Sequence, residues 1–417
     1  MDLNLDKKRI LLLVSGGIAI YKSLDLISVL KKEGAEIFVV MSEEATKFIA
    51  PLTFEAMSGN PVLCKDTESF PKISHISYAN LADIAIIAPA SVNTIAKLAH
   101  GIADSLIIET LLACKCAVFI APSANVNMLD SPQNRANMDS LTKMGYYIIP
   151  PRTSLLACNI IANGAMAEVC EIIFHLKRAF CVETNGDFWC GKNVIITGGG
   201  SVERIDAIRH ISNDSSGKQA SNLALAFYFL GANVSLIASK FPIALPLDIK
   251  KIAVKSSAEF KEAICTELDS CANHSKDSPK DNTIFIMAAA ISDYVVAQPA
   301  QGKLKKENLG KEWDLNLIQN TDILAQISSK FGDSCYIVGF KAESAHDLAI
   351  PNAQKMLNSK GCDMVVLNII DKDNEIGGER NAVRIFTRES SIEIPQDSKL
   401  NIAFAIAQNI TKNLVKR

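Results

Sequence analysis

Two glycine-bearing turns follow short apolar runs and lead into helical patterns. Ser15-Gly16-Gly17 comes after Ile10–Val14, and Thr197-Gly198-Gly199-Gly200 comes after the run from Val194. A turn of this kind gathers backbone N–H groups and a helix N-terminus at one point, where an anion is stabilised. The same pattern also serves any tight strand-to-helix connection. After a third run, ending at Ala88, the residues Ser91, Asn93 and Thr94 open a helical stretch with two hydroxyls and an amide. They could cap the helix or hold a phosphate, and capping explains one of the three more readily than all of them. Ala288-Ala289-Ala290-Ile291-Ser292-Asp293 ends a fourth run in small residues and an acid. Small residues let a base or ribose approach the backbone, and Asp293 offers a carboxylate to a nucleotide or a metal. Ten residues on, Lys303-Leu304-Lys305-Lys306 is either a solvated face or a contact for phosphates. The chemistry shared by these features is the binding of phosphorylated ligands. A GxGxxG dinucleotide fingerprint is absent, which places a nicotinamide-linked reductase last.

Strands and helices must bring those turns together. In the first half, strands are predicted over Ile10–Val14, Glu36–Met41, Ile84–Ala88, Ala117–Ala121 and Tyr146–Ile149. Ile20, Leu24, Ile27 and Leu30 recur at helical spacing between the first two, and Gly34 stops that helix. Apolar strands alternating with helices mean a parallel sheet buried on both faces, with ligands beyond the carboxyl ends of the strands. Ser15-Gly16-Gly17, Ser42, Pro89-Ala90-Ser91 and Pro122 all fall on that edge. A helical stretch is predicted from about Gly164 to Phe180, and the aperiodic, turn-rich segment Cys181 to Lys192 marks a domain boundary. The alternation then restarts, with strands at Asn233–Ala238, Ile284–Ala289, Tyr336–Phe340, Met364–Leu367 and Val383–Phe386. The expectation is an α/β chain of two Rossmann-like parallel-sheet domains, 1–180 and 193–417, joined by a linker over 181–192. Gln298 to Trp313 is rich in Gly, Lys and Glu and reads as a mobile active-site loop.

The 417 residues suit two domains, and 48% hydrophobic with 21% charged residues is a globular composition. A net charge of −2 gives no footprint for nucleic acid. Eleven cysteines without CxxC or paired spacing read as thiols in a reducing cytoplasm rather than as a disulfide framework. The apolar run at the N-terminus is too short for a signal peptide, and none approaches the roughly 20 residues of a membrane span.

With Ser15-Gly16-Gly17-Ile18-Ala19-Ile20-Tyr21-Lys22, the block from Ala88 to Leu106 resembles the homo-oligomeric flavin-containing cysteine decarboxylases, a flavodoxin-like fold. The resemblance covers the whole first domain. It implies FMN held by Gly17, Ser42, Ser91 and Thr94. It also implies a chemical trio. His75 lies in Ile73-Ser74-His75-Ile76, Asn125 in Pro122-Ser123-Ala124-Asn125-Val126-Asn127-Met128-Leu129, and Cys158 in Leu156-Ala157-Cys158-Asn159. Loss of CO₂ from a cysteine carboxylate leaves a carbanion that needs an electron sink, and a flavin creates one by oxidising the thiol-bearing carbon to a thioaldehyde. His75 is then the general base, Asn125 holds the carboxylate through its amide, and Cys158 donates a proton as the product is formed. Where the family has Met, Trp, Gly-Asp and Arg, this chain has Ala124, Leu129, Asn159-Ile160 and Ala165.

The second half resembles CTP-dependent phosphopantothenate–cysteine ligases. It carries Thr197 to Asp206, Arg209-His210-Ile211-Ser212-Asn213 and Ser215-Ser216-Gly217-Lys218 in that family's order. Taken together, the chain is similar to the family of enzymes that combine this ligase with the decarboxylase in coenzyme A biosynthesis. The resemblance implies CTP contacts at Met287, Ala288, Ala289, Asp293, Lys303, Thr321, Asp322, Ile323, Leu324, Phe340 and Lys360, with Phe340 as a wall of the base site and Lys303 on the triphosphate. A further family lysine is replaced by Met356, and Gly377 to Asn381 match only loosely. The implied reaction activates the phosphopantothenate carboxylate as an acyl-cytidylate, assisted by Mg²⁺ or a similar cation. Cysteine then displaces CMP, with Asn213 serving this second step and Arg209 near it. Family members pair as dimers through the ligase and assemble trimers around FMN, which a dodecamer would satisfy. Two other readings stay open: a ligase whose flavoprotein domain only binds or assembles, and a flavin- or nucleotide-binding regulator.

Overall fold

A computed structural model describes residues 5–67, 74–155, 159–273, 280–344, 346–371 and 374–416. The chain falls into two compact units, one ending at Phe180 and the other running from Cys181 to Arg417.

In the N-terminal unit, β1 (Arg9–Val14), β2 (Glu36–Met41), β3 (Val62–Leu63), β4 (Ile84–Ala90), β5 (Ala117–Pro122) and β6 (Tyr147–Ile148) form one sheet in the order β3-β2-β1-β4-β5-β6. All five neighbouring pairs are parallel. Along β1, Ile10, Leu12 and Val14 enter one core while Leu11 and Leu13 enter another. That period of two, with both faces buried, is why the strand reads as a continuous apolar run. The connections are α1 (Tyr21–Lys32), α2 (Glu43–Thr46), α3 (Pro51–Ser58), α4 (Ser74–Leu81), α5 (Val92–Ala99), α6 (Leu106–Ala113), α7 (Val126–Leu129) and α8 (Pro132–Lys143). Strand order reverses direction at β1, so the crevice beyond β1 and β4 is the natural ligand position.

The helix predicted from Gly164 is instead a strand followed by a helix. β7 (Arg152–Leu155) and β8 (Ile161–Ala165) make an antiparallel hairpin, and α9 (Val169–Asn185) begins after it. The apolar spacing after Val169 is helical, but Ile161 to Ala165 lack that period. Helix α9 runs on past Phe180 to Asn185, into the segment read as linker. Within that segment Trp189 is only 4% exposed and its ring packs edge-on against Phe227 at 4.8 Å, an anchor the turn-like sequence concealed.

The C-terminal unit contains β9 (Asn193–Gly198), the hairpin β10 (Val202–Arg204) and β11 (His210–Ser212), α10 (Lys218–Phe229), β12 (Asn233–Ala238), β13 (Lys250–Ala253) and α11 (Ser257–Asn273). It continues with β14 (Thr283–Met287), β15 (Tyr294–Val296), α12 (Lys306–Leu309), β16 (Leu317–Gln319), α13 (Ile323–Phe331), β17 (Tyr336–Glu343), α14 (His346–Ser359), β18 (Met364–Ile369), β19 (Arg380–Phe386), β20 (Ser391–Ser398) and α15 (Lys399–Val415). The main sheet has the order β13-β12-β9-β14-β17-β18-β19-β20. It is parallel through β18, but β19 and β20 are antiparallel, so the second sheet is mixed rather than wholly parallel. Helices α11, α13 and α14 pack on one face, contributing Phe260, Ile327 and Ala353 to a core with Phe285, Ile337 and Val365. The expected mobile loop from 298 is bracketed by β15 and β16, which pair with each other and not with the main sheet.

Phe285 is fully buried at the centre of this sheet. Phe285→Ala should cost about 3–5 kcal/mol through lost burial and an unfilled cavity. Urea unfolding followed by domain-resolved hydrogen exchange should show the loss in the C-terminal unit, with protection in the N-terminal sheet unchanged.

Candidate functional site

At the carboxyl edge of the N-terminal sheet, Ser15 ties two turns together. Its Oγ donates to the Pro89 carbonyl at 2.8 Å and accepts from the Ser91 amide at 2.9 Å. Ser91 is the N-cap of α5, its Oγ accepting from the Thr94 amide at 3.2 Å and lying 2.9 Å from the Thr94 hydroxyl. Capping therefore takes up Ser91 and Thr94 together, more than the sequence suggested. Ser42 caps α2, accepting from the Ala45 amide at 3.1 Å, and its own amide reaches the Val14 carbonyl at 3.1 Å. The structure thus gathers Gly17, Ser42, Ser91 and Thr94 on neighbouring strand ends. A Cβ placed on Gly17 would meet nothing within 4 Å, so internal packing does not require glycine there. The space beside that backbone is open to a ligand, as a phosphate cradle needs.

His75 stands in the first turn of α4, its Nδ1 3.8 Å from Glu109 Oε2 on α6. Asn125 is the N-cap of α7, with Oδ1 accepting from the Asn127 amide at 3.0 Å, which fixes which end of the amide is the donor. Its turn is joined to the hairpin by the Ala124 amide donating to Gly164 at 3.0 Å. Cys158 lies outside the described residues. Of the altered positions, Leu129 is buried, while Asn159 has a φ of 60° and Ile160 is exposed.

In the C-terminal unit a cavity of about 630 Å³ lies at the carboxyl ends of β14, β17 and β18. Met287, Ala288, Ala289, Asp293, Phe340, Lys360 and the run Thr321 to Leu324 all line it. Asp322 caps α13 through the Ala325 amide at 3.0 Å and pairs with Lys360 at 2.9 Å. Burial opposes ionisation, but the Ala325 amide and then the Lys360 ammonium hold this carboxyl below its ordinary value. Asn213 does not itself line the cavity, but its Nδ2 donates to the carbonyls of two residues that do, Ala290 at 3.3 Å and Ile291 at 3.1 Å. Gly200 makes that approach possible, since a Cβ there would fall 2.4 Å from the Asn213 carbonyl oxygen.

Lys303 and Arg209 do not line this cavity. Arg209 is held in a knot that the sequence did not reveal. The Asp206 carboxylate accepts from the amides of Ile208 (2.8 Å), Arg209 (2.7 Å) and Leu304 (3.1 Å). The Arg209 guanidinium returns to Asp206 at 2.7 Å, donates to the Leu304 carbonyl at 2.6 Å and lies 5.1 Å over the Trp313 ring. The Arg209 amide foremost, against the effect of burial, keeps the Asp206 carboxyl far below its ordinary value of 3.8. The signal was present as an Asp three residues before an Arg, but nothing local names Leu304 as their partner. Lys303, exposed, adjoins that pinned residue.

Residues 2–180 match the family model described as Flavoprotein, and residues 189–414 match the DNA/pantothenate metabolism flavoprotein C-terminal domain. The chain is 36% identical over 414 residues to the coenzyme A biosynthesis bifunctional protein of Bacillus subtilis, covering 97% of each chain. It is 34% identical over 416 residues to that of Haemophilus influenzae, covering 99% of this chain and 100% of the other. The chain belongs to the coenzyme A biosynthesis bifunctional protein family. Among solved structures, the C-terminal domain of one such bifunctional protein aligns over 56% of this chain and 100% of its own, at 24% identity and a TM-score of 0.44. An FMN-dependent cysteine decarboxylase aligns over 42% of this chain and 96% of its own, at 29% identity and a TM-score of 0.38. Like its relatives, this member of the family is a two-activity enzyme, a ligase and a decarboxylase. Among its described residues no helix is long and apolar enough to cross a membrane.

The lowered value at Asp206 gives a signed pH dependence. Its stabilisation is complete above the ordinary carboxylate value and is lost as pH falls through the lower folded-state value. Asp206→Asn should therefore reduce the melting temperature at pH 7, and the gap from the unaltered protein should shrink in acid. Paired melting curves across pH check this, and a gap that widens in acid would contradict it.

Proposed function

We propose that the C-terminal unit joins cysteine to 4′-phosphopantothenate with CTP, and that the N-terminal unit decarboxylates the resulting phosphopantothenoylcysteine to 4′-phosphopantetheine with FMN. The observation that carries the ligase half is the gathering of 287–289, Asp293, 321–324, Phe340 and Lys360 around one cavity. Phe340 and Leu324 offer apolar surface to a base, and Lys360 with the capped start of α13 offers charge to a polar substituent. The decarboxylase half is supported by the four strand-end turns and the open backbone at Gly17.

In the ligase, the phosphopantothenate carboxylate attacks the α-phosphorus of CTP and pyrophosphate leaves. Lys303, on the loop beside the Arg209 knot, would neutralise charge on the phosphates. The amine of cysteine then attacks the acyl-cytidylate and CMP departs. For Asn213 to stabilise the oxyanion of that step, its Nδ2 must exchange the Ala290 and Ile291 carbonyls for the substrate oxygen. Among the described residues no group of three or more His, Cys, Asp or Glu could hold a metal. A divalent cation is therefore assigned to the triphosphate it accompanies rather than to a protein cage.

In the decarboxylase, bound FMN supplies the electron sink that removal of CO₂ requires. Gly17, Ser42, Ser91 and Thr94 would orient it through backbone amides and hydroxyls. His75 would accept the proton of the substrate thiol, the donor end of Asn125 would hold its carboxylate, and Cys158 would return a proton to the product. Ile18 and Tyr21, next to the Gly17 turn, are 65% and 56% exposed. Apolar side chains bare beside a cofactor site support a subunit contact there, as in the trimeric arrangement implied by the resemblance. The cytoplasm remains the compartment of choice for a thiol substrate and reduced cysteines.

The purified protein should be yellow, form CMP when given CTP, cysteine and phosphopantothenate, and release CO₂ from phosphopantothenoylcysteine. CMP formation without CO₂ release would leave only the ligase half standing. His75→Asn should lower CO₂ release by about 10²–10⁴-fold, the usual worth of a general base, with CMP formation intact. Asn213→Ala should slow amide formation by about 10²-fold and let the acyl-cytidylate accumulate, visible by rapid quench and chromatography.

A further inference from the structure

The hairpin of β7 and β8 forms its own two-stranded sheet, apart from the six-stranded one. Its place against the N-terminal unit is set by contacts at its base. Met166 and Ala167, which follow β8, are buried in the same core as Ile10, Leu12 and Val14. Apolar burial of this kind sets depth but not direction. Direction comes from polar contacts. Arg152 faces Ala165 across the hairpin and Thr153 faces Asn163, which leaves Gly164 as the extra residue of a bulge. The Gly164 carbonyl accepts from the Ala124 amide at 3.0 Å, so the hairpin holds the turn that carries Asn125.

The other directional contact is a carboxylate shared by two cations. Glu168, between β8 and α9, places Oε1 2.9 Å from Arg152 Nε and Oε2 3.2 Å from Lys22 Nζ. Lys22 is buried at the start of α1, just beyond the Gly17 turn. Its neighbour Ser23 donates Oγ to the Ala88 carbonyl at 2.7 Å, which locks the start of α1 onto β4. Lys22 is therefore a fixed post, and Glu168 reaches from it to Arg152 at the base of the hairpin. A buried ammonium requires a counter-ion, and Glu168 meets that need. That need does not account for Arg152. A second cation on a carboxylate whose side chain is 50% exposed adds little stability, so what it adds is orientation.

We propose that Glu168 is a positioning residue for the decarboxylation, and that its bridge from Lys22 to Arg152 sets the distance between the FMN turn and the Asn125 turn. The inference rests on the reading of the N-terminal unit as an FMN-dependent decarboxylase. From Lys22 the path runs through Glu168 and Arg152 to the Gly164 bulge, and on through Ala124 to Asn125. At one end the flavin is held, and at the other the carboxylate that leaves as CO₂. The substrate must meet both at once, so an error of about 1 Å in their spacing costs on the order of 10²-fold in rate. Loss of the bridge leaves the groups at each end in place and alters their separation.

The test measures CO₂ release from phosphopantothenoylcysteine, FMN affinity and melting temperature on the full-length protein, with CMP formation as the internal control. Glu168→Gln should lower kcat for CO₂ release about 10–100-fold, with KM and the Kd of FMN each within about threefold. Arg152→Ala should lower kcat about tenfold. Adding Ala165→Arg to it should restore most of the loss, because position 165 offers a guanidinium to Glu168 from directly across the hairpin. Glu168→Gln also leaves Lys22 without its counter-ion and should lower the melting temperature. Lys22→Met combined with Glu168→Gln removes the buried pair as a whole, so the melting temperature should recover while kcat stays low. An unchanged kcat in Glu168→Gln, a loss explained by released FMN, or full activity in that double variant would overturn the inference and leave the decarboxylase reading intact. So would a relocated arginine that melts normally and restores nothing. No CO₂ from the unaltered protein would bring down the decarboxylase reading and this inference with it.

Discussion

Parallel strands satisfy one another's amides and carbonyls along their length, and all run out at the same edge. The chain must turn at the end of each strand, and the first amides of the next helix have no partner within that helix. In both sheets the sequence meets this constraint with glycine or short polar residues: Ser15, Ser42 and Ser91 in the first, Gly200, Asn213 and Asp322 in the second. Capping and ligand binding draw on the same groups. Ser91 caps α5 through the Thr94 amide and Asp322 caps α13, so the groups proposed to meet phosphates are those a helix start would have built anyway. Glycine at 17, on this edge, is a position where packing alone gives no account of the residue.

The two units solve the problem of charge differently. The N-terminal edge presents hydroxyls and amides with few cations, suited to a cofactor that stays. In the C-terminal cavity a lysine is paired in advance, Lys360 with Asp322. That pairing lowers the cost of holding a cation beside a cavity.

The alternation of apolar runs and helical spacing was enough to place the main strands, because parallel strands buried on both faces have no polar register to confuse them. It failed where pairing is short or antiparallel. Ile161–Ala165 carries Asn163 and Gly164 and so lacks an apolar run, while Arg380–Phe386 shows its period only from Val383 onwards. The segment around Trp189 looked like a linker because one buried ring, not a periodic face, fixes it. Among the candidate site residues, those lying on strand ends and their following turns were legible as short ordered motifs. Partnerships between distant residues were not: Asp206 with Leu304, His75 with Glu109 and Lys218 with Glu379 are separated by 98, 34 and 161 positions. No local pattern encodes them.

The bond between Leu304 and the Asp206–Arg209 pair also changes what the long polar connection after β15 can do. Tethered at that point, the segment is no longer one wide loop but two shorter ones, each with a smaller closure entropy. A side chain next to the tether sweeps an arc about a fixed post instead of exploring a sphere. Lys303 is such a side chain: it can be exposed to solvent and still pay little disorder when it swings to a target within its reach.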